Sequence, residues 1–147
     1  MIAIREVADG DVSALVDLWH AAGVSRPWND PLRDIAFARR GPHSTLLVAE
    51  EAGALVGSVM IGEDGHRGWV YYLAASPERQ RAGIGRALMQ AAEIWLAARG
   101  VWKVQLLVRG ENLGVRAFYE KLGYRLVDTV LLQKALEQGV ARPLTEP

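Results

Sequence analysis

Gly83 and Gly85 stand either side of Ile84 in the run Ser76-Pro77-Glu78-Arg79-Gln80-Arg81-Ala82-Gly83-Ile84-Gly85-Arg86-Ala87-Leu88-Met89. Ile84, Ala87, Leu88, Ala91, Trp95 and Ala98 repeat at helical spacing, and Gly100 ends that pattern. The glycines therefore fall where a helix begins. The first four N–H groups of a helix have no partner inside it, and the helix dipole adds about half a positive charge at the same end. Two residues without side chains open a path for an anion to those donors. Arg79, Arg81 and Arg86 add positive charge nearby. The predicted chemistry is the grip of a pyrophosphate.

The surrounding residues narrow the ligand. A Walker loop needs Gly-Lys-Ser/Thr after its glycines, and none follows here. A dinucleotide fingerprint needs a third glycine where Leu88 stands, and a preceding strand that opens a βαβ unit. The strand here instead closes a run of three. Gln80-x-x-Gly83-x-Gly85 after Leu73-Ala74-Ala75-Ser76-Pro77 resembles the acetyl-CoA motif of the GNAT superfamily of N-acyltransferases. Asn112 to Tyr119, followed by Gly123-Tyr124, is similar to that superfamily's downstream motif, and the order of elements agrees over nearly the whole chain. Arg26-Pro27-Trp28-Asn29-Asp30-Pro31 and Asp64-Gly65-His66-Arg67-Gly68 further resemble a YpeA-like branch, a likeness that carries no substrate.

The resemblance implies acetyl-CoA as acyl donor, with no metal. It implies that backbone amides of Arg81, Ala82, Gly83, Ile84, Gly85 and Arg86, after Gln80, hold the pyrophosphate. Leu73, Ala74 and Ala75 would lie on the strand that pairs with the pantetheine arm as an added strand would. That arm would enter a V-shaped slot where this strand splays from the one after the helix. Asn112 would hydrogen-bond the pantetheine, and Tyr119 would sit near the thioester sulfur.

Amine attack on a thioester needs a neutral amine, support for the carbonyl oxygen and a proton for the departing thiolate. Tyr119, with an ordinary pKa near ~10, keeps its proton at neutral pH and can donate it. A backbone N–H of Leu73 to Ala75 can support the oxyanion. The chain has no cysteine, so direct transfer in a ternary complex is expected over a cysteine acyl-enzyme. Trp69 and Leu107 occupy the places where other branches carry a basic glutamate, and neither takes a proton. Deprotonating a lysine amine at pH 7 costs roughly 4–5 kcal/mol, an α-amino group only about 1. A low-pKa amine is therefore the expected acceptor, or else a water chain leads to Asp64, His66 or Tyr71. Arg26 and Trp28 lie in a loop expected to border the acceptor.

Each of these residues also has a plainer reading. Tyr119 shares a helical stripe with Phe118 and Leu122 and fits a core; Asn112 is a good N-cap; the three arginines fit a solvated rim; His66 fits an exposed turn. The missing glutamates keep a second function open, an idle acyl-CoA-binding sensor or regulator.

The elements that must position these groups follow in order. Ile2 to Val7 reads as a strand; Val12, Leu15, Val16, Trp19 and Ala22 as a helix capped by Asp11; Asp30-Pro31 starts a helix reaching about Arg40. Thr45 to Glu50, Leu55 to Ile61 and Trp69 to Ala75 form an antiparallel meander. Trp102 to Val108 is a strand parallel to its predecessor if the helix between is a crossover. A helix spans Asn112 to Leu122, Tyr124 to Leu136 is a further strand, and 137–147 is a loose tail. Trp19, Trp95 and Trp102 fall on core periodicity. The expected fold is α/β (α+β): one mixed, mostly antiparallel sheet flanked by helices, a single domain over 1–147.

With 147 residues, half of them hydrophobic, the chain can bury a core of its own. Seventeen basic residues balance seventeen acidic ones, so nucleic acid or a membrane surface has little electrostatic hold on it. Asp9, Gly10 and Asp11 come too early for a signal peptide, and the apolar runs are strand-sized. A cytoplasmic protein is expected, with a homodimer as one assembly open to it.

Overall fold

Alternating apolar residues between Thr45 and Ala75 build most of the sheet, as the meander pattern predicts. A computed structural model describes residues 1–140. They form two compact units: Met1–Ser25 with Asp30–Leu106, and Arg26–Asn29 with the residues from Leu107 onward.

The first unit holds a five-stranded sheet in the order β1-β2-β3-β4-β5. Strands β1 (Ala3–Glu6), β2 (Ser44–Glu51), β3 (Ala54–Glu63) and β4 (Gly68–Ala75) pair antiparallel in succession, and β5 (Val104–Leu106) joins β4 in parallel. Helices α1 (Val12–Ala21) and α2 (Pro31–Ala38) cover one face. Their Leu15, Leu18, Trp19, Ile35 and Ala38 pack with Leu46, Val48 and Ala74. Each fully buried aliphatic side chain there contributes about 1.5–3 kcal/mol. Helix α3 (Ile84–Ala97) buries Ile84, Leu88, Met89, Ala92 and Leu96. It lies so close to β3 that a Cβ on Gly57 would come within 2.6 Å of Ile84 Cγ2 and 2.8 Å of Leu88 Cδ1. Gly57 thus faces α3, and the next residue, Ser58, faces α1, because successive strand residues point to opposite sides. This is the mixed, mostly antiparallel sheet flanked by helices that the sequence predicts.

Helix starts follow the sequence at one site and depart from it at another. Asp30 caps α2, its Oδ1 accepting from the N–H groups of Leu32 (3.0 Å) and Arg33 (3.3 Å), with Pro31 in the first turn. Asp11 does not cap α1 with its side chain. A 3₁₀ turn, Asp9–Asp11, precedes the helix, and the Asp11 carboxylate accepts from the Ala8 N–H and from both terminal nitrogens of Arg5. Arg5 holds that carboxyl down at about 2.

The β3–β4 pairing contains an irregularity that the sequence pattern does not reveal. Ser58 pairs with Ala74 and Met60 with Tyr71, so Tyr72 and Leu73 both stand opposite Val59. Tyr72 adopts φ +52°, a left-handed conformation that costs a non-glycine residue about 1–2 kcal/mol. Such bulges bend a strand and re-aim its groups.

The second unit contains α4 (Leu113–Lys121). Asn112 caps it, Oδ1 accepting from the Val115 N–H at 3.2 Å. The strand predicted over Tyr124–Leu136 is not formed: no strand follows Leu106 among the described residues, and Leu126, Val130, Leu132 and Leu136 are exposed. Alternation supplies a strand's pattern, but a strand also needs a partner ladder, and this unit contains none among the described residues. The strand predicted over 102–108 shrinks to Val104–Leu106, and Trp102 is 78% exposed, outside the core its spacing suggested. Of the predicted tail, 137–140 is exposed and 141–147 lies outside the described residues. Among the described residues no helix is long and apolar enough to cross a membrane, and no group of three or more His, Asp or Glu could hold a metal.

Candidate active site

The chain leaves β4 through Ser76, whose N–H bonds back to the Val56 carbonyl at 2.8 Å and whose hydroxyl donates to Glu78 Oε2 at 2.7 Å. A 3₁₀ turn, Pro77–Arg79, follows. Arg81 then takes φ +67° and Gly83 φ +80°. Gly83 suits this conformation; for Arg81 it is strained, and alternating backbone conformations of this kind form anion-binding concavities. Helix α3 closes its first turn with the Ala87 N–H on the Gly83 carbonyl at 3.0 Å.

Accounting for the donors ahead of that turn gives the main property of the segment. The Ala82 N–H bonds the Arg79 carbonyl at 3.3 Å. The N–H groups of Gln80, Arg81, Gly83, Ile84, Gly85 and Arg86 have no hydrogen-bond acceptor among the described residues. Gln80, Arg81, Ala82, Gly83 and Arg86 are exposed, while Ile84 is buried and anchors the helix tip on Gly57. The tip is open above and fixed below. Of the three arginines expected around it, Arg79 pairs with Glu51. Arg81 and Arg86 have no ion-pair partner among the described residues, and their charge reinforces the helix dipole.

Leu73, Ala74 and Ala75 occupy the end of β4, beyond its pairing with β5. Strand β5 pairs with Gly68, Trp69 and Val70, and the β4–β5 register ends there. The splay that the sequence resemblance implies would begin where this pairing ends. Within the bulge, Ser58 Oγ–H donates to the Tyr72 carbonyl at 2.9 Å. The Tyr72–Leu73 peptide is trans, so the Leu73 N–H leaves it in the opposite direction, away from Ser58.

Of the expected acceptor residues in the first unit, Asp64 and His66 lie in the β3–β4 turn and Tyr71 lies on β4. Asp64 Oδ1 accepts from the N–H groups of His66 (3.0 Å) and Arg67 (2.7 Å), and Oδ2 from Trp69 Nε1 (3.1 Å). These bonds, the Arg67 N–H foremost, lower the Asp64 pKa. A carboxylate so engaged is a poor proton acceptor. His66 is exposed. Tyr71 stacks near Trp69 and is 46% exposed; burial, then the Asp64 charge, raises its hydroxyl pKa.

In the second unit Tyr119 is 8% exposed, edge-on to both Phe118 and Tyr124. Burial alone pushes its hydroxyl up to about 12. Asn112 keeps its side-chain N–H groups for another partner, since Oδ1 serves as the cap. Arg26 closes a turn through the Asn29 N–H at 3.0 Å, and the Arg109 guanidinium lies 6.0 Å over the Trp28 ring.

Sequence reasoning missed the residues that shape the bulge: Trp19, Asp34, Ser58 and Tyr72. One signal was present, a serine in the middle of the apolar run Leu55 to Ile61.

Comparison with known proteins agrees with this arrangement. A family model described as the acetyltransferase (GNAT) family matches residues 12–124. The acetyltransferase SG1711 of Sodalis glossinidius is 45% identical over 129 residues, which is 88% of this chain and 91% of that protein. The PaiA N-acetyltransferase of Thermoplasma acidophilum, solved in complex with coenzyme A, matches with a TM-score of 0.77 over 88% of this chain and 93% of its own. At 21% identity that likeness shows the fold alone. The ribosomal-protein-S18-alanine N-acetyltransferase of Escherichia coli is 25% identical, with a TM-score of 0.71 over 84% of this chain and 77% of its own. The family match over 12–124 and the 45% identical relative together place this chain in the GNAT family of acetyltransferases.

Proposed function

We propose that this acetyltransferase moves an acetyl group from acetyl-CoA directly to a primary amine, and that the favoured acceptor is an α-amino group. The observation that carries the donor assignment is the row of N–H groups at the tip of α3 that have no acceptor among the described residues, in the same unit as the end of β4 beyond its pairing with β5. Donors aimed into solvent at a helix N-terminus fit a diphosphate. An open strand edge fits the amide-bearing pantetheine arm. Acetyl-CoA supplies the activated acetyl group when bound. In this reading the amides of Arg81 to Arg86 hold the diphosphate, Leu73 to Ala75 align the arm, and the Asn112 side-chain amide binds it. Tyr119 donates the proton to the departing sulfur. The Leu73 N–H, directed away from Ser58, supports the carbonyl oxygen as charge develops.

Two observations favour an α-amine. Asp64 is committed to its turn with a lowered pKa, which weakens it as a base for a high-pKa amine. The Escherichia coli neighbour is by its name an alanine N-acetyltransferase of a ribosomal protein. The YpeA-like branch remains a finer proposal within the family. The family match runs across both units, which supports reading 1–147 as one transferase domain. The even charge balance supports a cytoplasmic protein without nucleic-acid or membrane partners. An idle sensor is disfavoured, because the curated relative carries an acetyltransferase name.

The test is thermal denaturation with acetyl-CoA, ATP and NAD, followed by thiol release across an amine panel. Acetyl-CoA at a hundredfold excess over Kd should add about 2.7 kcal/mol of stability, whereas ATP and NAD add nothing. Peptides with free N-termini should release thiol faster than N-blocked peptides carrying lysine. No stabilisation by acetyl-CoA would overturn the donor assignment, and preference for the lysine peptides would overturn the α-amine.

A further inference from the structure

The bulge at Tyr72 is held by side chains from three other elements. The Tyr72 hydroxyl donates to Asp34 Oδ2 on α2 at 2.7 Å. Its ring stacks on Trp19 of α1, with centroids 3.8 Å apart and planes within 6°. Trp19 Nε1–H donates to Ser58 Oγ on β3 at 2.9 Å, and Ser58 in turn donates to the Tyr72 carbonyl at 2.9 Å. Trp19 and Ser58 are both fully buried. A closed loop of contacts therefore fixes the Tyr72 ring, hydroxyl and carbonyl, although its φ of +52° is one the residue resists. A polar group is rarely buried in a strand centre without a partner; here Ser58 and Trp19 satisfy each other and grip one peptide unit.

From this geometry we infer that Tyr72 and Ser58, with Asp34 and Trp19 behind them, are positioning residues for acetyl transfer: they set the direction of the Leu73 N–H. The inference rests on the reading of that N–H as a donor to the reacting carbonyl. A trans peptide is rigid, so fixing its carbonyl on Ser58 fixes its N–H on the opposite side. The stack on Trp19 and the bond to Asp34 resist rotation about the strained residue. Preorganised donors accelerate a reaction only while held in place, and a displacement of about 1 Å can cost 10²-fold. None of the four side chains has to touch the substrate for this role.

The experiment measures kcat and acetyl-CoA Kd in the full chain for Ser58→Ala, Tyr72→Phe, Asp34→Ala and Asp34→Asn. Tyr72→Phe keeps the ring on Trp19 and loses only the bond to Asp34, so it is the variant least able to unfold the protein. The expected result is a kcat lowered by about 10- to 100-fold in Ser58→Ala and by about 3- to 10-fold in Tyr72→Phe and Asp34→Ala. Kd should stay within about threefold, because the diphosphate donors are elsewhere. Asp34→Asn keeps an acceptor for the hydroxyl and should recover most of the parent kcat. Parent-like kcat in both Ser58→Ala and Tyr72→Phe would overturn the inference. So would kcat and Kd worsening together, which marks loss of structure. A parent protein that neither binds acetyl-CoA nor releases thiol would overturn the underlying reading, and the inference with it.

Discussion

Tyr119 keeps its proton to far higher pH than a solvated tyrosine, because Phe118 and Tyr124 stand where water would otherwise stabilise the phenolate. A group still protonated at about 12 is available as an acid at any physiological pH. An alkaline fall in turnover below pH 10 should therefore belong to another group. Tyr119→Phe should lower turnover by roughly 10²–10³ with acetyl-CoA affinity nearly unchanged, and unchanged turnover would return the residue to the core. Stability carries a matching signature. The folded pKa lies above the unfolded value, so stability is complete below about pH 10 and declines as pH rises toward 12, by up to about 2–3 kcal/mol. Tyr119→Phe should flatten that decline in an alkaline denaturation series; a slope as steep as the parent's would place the titration elsewhere.

At the scale of elements, the approach of α3 to β3 sets where the helix tip stands. Gly57→Ala would place a methyl 2.6 Å from Ile84 Cγ2, and Ile84 opens the helix that bears the unpartnered donors. We expect a loss of about 1–3 kcal/mol from overpacking, read as a lowered Tm, together with weaker acetyl-CoA binding. A Tm loss with parent-like binding would show that the tip tolerates movement of α3. Much of this architecture was legible in advance. The glycines, the α3 periodicity and the meander each have local signatures, as does the Asp30-Pro31 start of α2. The Tyr72 bulge had only the serine inside the run Leu55 to Ile61, because its shape depends on Trp19 and Asp34, thirty-eight or more residues away. The acid and base roles were hardest to read. Burial of Tyr119 and the three bonds on Asp64 are tertiary facts that residue type does not encode.

Across the whole molecule, regular hydrogen bonding is unevenly shared. The sheet and α1–α3 belong to the first unit, whereas residues 125–136, within the run patterned like a strand, form no strand among the described residues. Amide exchange follows protection by hydrogen bonding. Amides of residues 125–136 should on average exchange much faster than those of β2 and β3, as hydrogen-exchange mass spectrometry can measure. Protection of 125–136 equal to that of the central strands would mean that the segment finds a ladder in solution.

The exposed tip of α3 has a consequence for genetics. Its unpartnered donors are main-chain N–H groups, and exchanging one amino acid for another leaves such a group in place unless proline is introduced. A systematic alanine survey from Gln80 to Arg86 would therefore pass over most of what the segment offers a ligand. It should register chiefly at Ile84, whose buried side chain anchors the tip, at about 2–5 kcal/mol, and at Gly83, where φ +80° makes a Cβ costly by about 1–2 kcal/mol although nothing lies within 4 Å of it. Replacing individual peptide linkages by esters would interrogate the donors themselves, and inheritance alone cannot easily erase them.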